Sequence, residues 1–226
     1  MLRLLRTLFD RPDLAAKVKS LRIGPTRENI VKICQAQRFP LESLRAQSLM
    51  KLGELGYTKS HPWSRTIQNS SQLGFAGVLL TLLPALHDLG IWVMDHTRGD
   101  AVSDESVSGL FGSMVLPDLI VKRWDKLQSF STNDTHVFKC NASFKCLTSL
   151  ELSIVSAGTI MSLNGPGSLQ GTESLQRLVL SVAMAFMDPV MMEENESHLS
   201  RLFEALNCNR LRILHINLSV CTLNVH

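Results

Sequence analysis

Six segments of the chain share one pattern, an apolar residue followed three and five positions later by further residues that alternate with polar ones. Val18–Leu21–Ile23, Leu86–Leu89–Ile91, Leu127–Phe130, Leu147–Leu150–Leu152, Leu175–Leu178–Leu180 and Leu211–Leu214–Ile216 carry it. The period of two at the end of each segment predicts a short strand with one apolar face. In Leu147 to Ile154 the division is complete, with Leu150, Leu152 and Ile154 on one face and Ser149, Glu151 and Ser153 on the other. Val18 and Leu127 begin the two looser copies. A further strict copy at Leu116 contains Pro117 and is set aside.

Helical spacing fills much of the rest. Leu2, Leu4, Leu5, Leu8 and Phe9 form a stripe that Asp10-Arg11-Pro12-Asp13 ends or interrupts. Residues 27–37 and Pro40 to Leu55 are helix candidates, and so are Glu105 to Leu116 and Glu194 to Leu206. A helix capped by Asn69 or Ser71 is expected to run into Leu83 and stop at Pro84, just before the strand that starts at Leu86. Thr58 to Ser71, with Pro62, reads as a mobile loop. Asp95 to Val107 and Gly158 to Gly171 read as irregular connections.

A helix that stops at a proline and turns into a short strand is one unit of a helix–strand repeat. The expected fold class is α/β: an irregular leucine-rich-repeat-like solenoid of short parallel strands backed by helices. Residues 1–226 form a single such domain, expected to be truncated at one or both ends. The steps between the six units are 68, 41, 20, 28 and 36 residues, and only two match the ~20–29 residues of leucine-rich repeats. No unit can bury its own apolar face, so the units gain stability only as a stack.

Composition supports a repetitive core: 37 leucines against one Tyr, three Trp and nine Phe. The net charge of +3 conceals an asymmetry, because residues 1–65 hold thirteen Lys/Arg and five Asp/Glu and are therefore +8. The basic residues (among them Arg3, Arg6, Lys17, Lys19, Arg22, Arg38 and Arg45) alternate with apolar ones and read as a solvated face. Interspersed aromatic stacking residues are missing, so no nucleic acid is expected as partner. The longest apolar window, Leu73 to Leu86, is shorter than the ~20 residues of a membrane span, and no membrane is expected either. Five cysteines at irregular spacing (Cys34, Cys140, Cys146, Cys208 and Cys221) suggest reduced, buried thiols and an intracellular protein, cytoplasmic or nuclear.

Candidate chemistry is sparse. Gly165 to Gly171 lacks the Lys-Ser/Thr of a phosphate loop, and Gly112-Ser113 lacks the second glycine of a nucleophile elbow. His87-Asp88 and Asp95-His96 are isolated neighbours, with His87 expected on the surface. Glu193 to His198 reads as acids at a helix start rather than a metal loop. No catalytic residue, metal or cofactor is expected.

Two segments resemble a known family. Leu4-Leu5-Arg6-Thr7-Leu8-Phe9-Asp10-Arg11-Pro12-Asp13-Leu14-Ala15, leading into Val18 to Ile23, resembles the stretch that follows the F-box in many fungal F-box proteins. Leu82-Leu83-Pro84-Ala85-Leu86 resembles their recurring Leu-Leu-Pro-Asn-Leu, with Ala85 in place of asparagine. The resemblance implies a repeat domain that holds substrates for a ubiquitin ligase. A Skp-type adaptor is implied as partner only if an F-box precedes Met1. The expected function is therefore a non-enzymatic protein–protein interaction module with an unidentified protein partner. Its contacts are expected at polar positions of the strand units: Arg22, Asp88, Glu151, Arg177, Arg212 and His215. The rival readings are a truncated remnant without independent activity and an enzyme of unrecognised type.

Overall fold

The computed structural model describes residues 1–26, 29–93, 125–133, 144–154, 172–185 and 208–221. The described strands β1 (Ser20–Ile23), β2 (Asp88–Ile91), β3 (Ser129–Thr132), β4 (Ser149–Ile154), β5 (Arg177–Ala185) and β6 (Ile213–Cys221) form one parallel sheet in sequential order. All six units of the hydrophobic pattern become strands. The expected helices at 105–116 and 194–206, the discarded copy at Leu116, and the segments Asp95-His96, Gly165 to Gly171 and Glu193 to His198 lie outside the described residues.

Register turns the repeated pattern into continuous rows. Leu21, Leu89, Phe130, Leu150, Leu178 and Leu214 pair strand to strand, and Ile23, Ile91, Thr132, Leu152, Leu180 and Ile216 form a second row beside them. From β2 to β5 these side chains are sealed from water. Each buried Leu or Ile contributes roughly 1.5–3 kcal/mol. On β6, the edge strand, Leu214 and Ile216 are each 44% exposed.

A recurring turn precedes the strands. The N–H of Leu147 donates to Phe144 O and that of Leu175 to Thr172 O, both at 2.9 Å, and Val18 repeats the bond to Ala15 O at 3.4 Å. The same two-to-one step then links each unit to the next. Lys19 O accepts from the N–H groups of His87 and Asp88, and His87 O from those of Gln128 and Ser129. Gln128 O accepts from Thr148 and Ser149, Thr148 O from Gln176 and Arg177, and Gln176 O from Arg212 and Ile213, all at 2.8–3.0 Å. Beyond β2 the Asn133 side chain takes the place of a strand, accepting from Val93 N–H at 2.8 Å and donating to Val93 O at 2.9 Å.

The described α-helices all precede β2, and a 3-10 turn, Cys208–Arg210, precedes β6. The α-helices are α1 (Leu2–Asp10), α2 (Pro12–Ala15), α3 (Val31–Ala36), α4 (Leu41–Glu54), α5 (Pro62–Gln68) and α6 (Gln72–Thr81). α6 is buried from Leu73 to Thr81 and packs against α1, α4 and α5. A helix apolar all round belongs in the interior. Ser71 stands at its N-cap position. The expected loop at Thr58 to Ser71 is corrected, because α5 lies inside it. Pro62 starts that helix, and the N–H of Trp63 donates to His61 Nδ1 at 3.3 Å. Trp63 lies across α6, where a Cβ on Gly77 would sit 1.2 Å from its ring. Two thiol expectations divide: Cys34 is buried, but Cys146 is exposed in the turn before β4. Burial pushes the Cys34 thiol above its ordinary pKa.

Candidate functional site

Polar residues of the strands gather on the face opposite the leucine rows. One row holds Ser20, Asp88, Ser129, Ser149, Arg177 and Ile213, and the next holds Arg22, Gly90, Ser131, Glu151, Val179 and His215. A third row on β4 to β6 adds Ser153, Ser181 and Asn217. With strands ~4.8 Å apart, the six span about 24 Å. Hydroxyls tie neighbouring strands together. Ser20 donates to Asp88 Oδ2 at 2.9 Å, Arg177 Nη1 donates to Ser149 Oγ at 3.3 Å, and Asn217 Nδ2 donates to Ser181 Oγ at 3.5 Å.

Five of the six residues expected from sequence stand on this face: Arg22, Asp88, Glu151, Arg177 and His215. Arg22 and His215 are exposed, and the other three are half-buried. Among the described residues, none of Arg22, Asp88, Glu151 and Arg177 forms an ion pair. Arg212 is placed differently. It precedes β6, in the turn row shared by Lys19, His87, Gln128, Thr148 and Gln176. There it lines a cleft of about 400 Å³ with Gln176, Asn209, Arg210 and Leu211. Its motif position lies one residue before the strand, so the strand alternation does not apply to it. His87, expected on the surface, is half-buried in the same row.

Sequence reasoning missed the aromatic part of this face. Trp92 has the same parity as Asp88 and Gly90, and its ring lies over Gly90, where a Cβ would fall 2.5 Å from Trp92 Cη2. The Arg22 Cγ would be 3.2 Å from that same Cβ, so an aliphatic stem and an indole share the space the glycine leaves open. On the next strand the Ser131 hydroxyl is shielded from water and has no hydrogen-bond partner. The arrangement offers an aromatic surface beside charges of both signs, a mixture suited to polypeptide contacts.

Among the described residues, no group of three or more His, Cys, Asp and Glu could hold a metal ion. No helix among them is long and apolar enough to cross a membrane. Comparison of the chain with protein-family models, with curated proteins and with solved structures finds no match in any of the three.

Proposed function

We propose that the chain is a leucine-rich-repeat-like solenoid acting as a non-enzymatic protein-interaction module, with the polar face of its sheet as the binding surface. One observation carries this reading. Parallel sheets with helices on both faces are built from strands that are apolar throughout. Here most alternate strand residues are polar, from Ser20 and Arg22 through Glu151 and Ser181, with Gly90, Val179 and Ile213 the exceptions in the first two rows. A parallel sheet with that alternation is covered on one face and presents the other. The identical carbonyl step between successive units supports the solenoid description, and the strand order never reverses to create the crevice used by doubly wound enzymes. The likeness to fungal F-box proteins extends the proposal to holding a substrate for a ubiquitin ligase, with a Skp-type adaptor engaged only through an F-box.

The test is affinity capture with the wild-type chain and with Arg22→Glu/Arg177→Glu, each followed by circular dichroism. Both residues are partly or fully exposed, so the double variant is expected to fold while losing a protein that the wild type retains. If a folded double variant keeps every bound protein, the face is not the binding surface.

A further inference from the structure

A second surface feature lies on the helices. Arg3, Arg6, Thr7 and Asp10 of α1 face the turn Gln37-Arg38-Phe39-Pro40 between α3 and α4, and together they line a cleft of about 410 Å³. Three guanidinium groups and one carboxylate give it two net positive charges. Among the described residues, none of Arg3, Arg6, Arg38 and Asp10 forms an ion pair. The Thr7 hydroxyl is already used, donating to Arg3 O at 2.9 Å.

Two details distinguish the cleft from a scatter of surface arginines. Its cations come from α1 and from a turn about thirty residues later, which the fold brings to one cleft. Arg38 also has φ of +50°, a left-handed conformation that costs an arginine more than a glycine. That turn is pinned by Arg38 N–H to Gln35 O at 3.0 Å and by Phe39 N–H to Cys34 O at 2.8 Å. Phe39 is half-buried and packs against the core, so an apolar residue fixes the turn that carries the third cation.

We propose that this cleft docks an acidic protein segment, its carboxylates pairing with Arg3, Arg6 and Arg38 while an apolar side chain rests on Phe39 and Pro40. Guanidinium forks match carboxylates in two-point geometry, and the cleft's excess positive charge complements an acidic segment. The Phe39 and Pro40 floor favours a polypeptide over a bare polyanion. This site is separate from the polar sheet face and stands or falls independently of it.

The experiment is fluorescence anisotropy of a labelled oligo-glutamate peptide containing one central leucine, titrated with the full chain. Saturable binding that weakens with added salt is expected. Arg3→Glu/Arg38→Glu should reduce the affinity by about tenfold or more, while Lys59→Glu/Arg65→Glu, an equal change of net charge on exposed residues elsewhere, should leave it within about twofold. Arg3→Gln/Arg38→Gln removes the charges without reversing them and serves if the reversed variant melts early. Equal losses in the cleft and remote variants would overturn the proposal. So would tighter binding of an oligoribonucleotide of matched charge, or no binding of the peptide at low salt.

Discussion

Replacing one leucine at a time along the paired row tests whether the sheet shares a single apolar spine. Leu89, Leu150 and Leu178 lie in that row, with Phe130 between the first two, and are fully buried, whereas Leu214 occupies the same row on β6 and is 44% exposed. Truncation to alanine removes three carbon groups, about 2.4 kcal/mol of transfer free energy at ~0.8 kcal/mol each. At the sealed positions the cavity raises this to about 3–4 kcal/mol. At Leu214 only about half of that area is withdrawn from water and solvent fills the gap, leaving about 1–1.5 kcal/mol. For a chain of this size the two classes correspond to losses of about 10 °C and about 4 °C in melting temperature. Far-UV circular dichroism during heating of the four variants reads the difference directly. Leu89→Asp, which would strand a charge in the same place, is expected to prevent folding altogether. A Leu214→Ala variant that melts as early as Leu89→Ala would refute the graded burial. A Leu150→Ala variant that melts with the wild type would refute the spine.

Two further predictions concern the helical half. Gly77→Ala places a methyl group 1.2 Å from the buried Trp63 ring, so α5 and α6 must separate. The cost should be about 3 kcal/mol, and Trp63→Leu in the same chain should recover part of it, which the melting temperatures of the two singles and the double reveal. His61 accepts the Trp63 N–H through Nδ1, and burial lowers its pKa below the ordinary histidine value. A depressed folded-state pKa gives stabilisation that is complete above the unfolded value of about 6.5 and is lost as the pH falls below it. Urea midpoints should therefore drop between about pH 7 and about pH 5, and His61→Asn, which keeps a capping acceptor, should flatten that slope. An unchanged slope in the variant would assign the pH dependence elsewhere.

The strands were legible in the sequence because burial on one face of a sheet requires a period of two, and Leu21, Leu89, Leu150 and Leu178 satisfy it wherever they fall. The spacing of the units was a poor guide for a physical reason. What must match between neighbours is the turn and strand, down to one carbonyl accepting two N–H groups; the connection between them needs only to return. Steps of 20 and of 68 residues meet that condition equally well, since closing a longer loop adds little free energy. α5 is illegible because a proline can end a helix or begin one, as Pro62 does, and because Trp63 and Ile67 are its only large apolar residues amid Ser64, Arg65, Thr66 and Gln68. Trp92 is hidden because it is a lone aromatic just past the apolar pattern that ends at Ile91, and nothing in that pattern marks Gly90 as the seat of its indole. The arginine cleft was the least legible, since Arg3 and Arg38 each look like ordinary solvated charge. Their shared environment exists only after α1 meets the turn following α3, and no one-dimensional pattern records such a meeting. Period therefore reports the side of an element that is buried, whereas a site built from two elements becomes visible only once the core they share has set their distance.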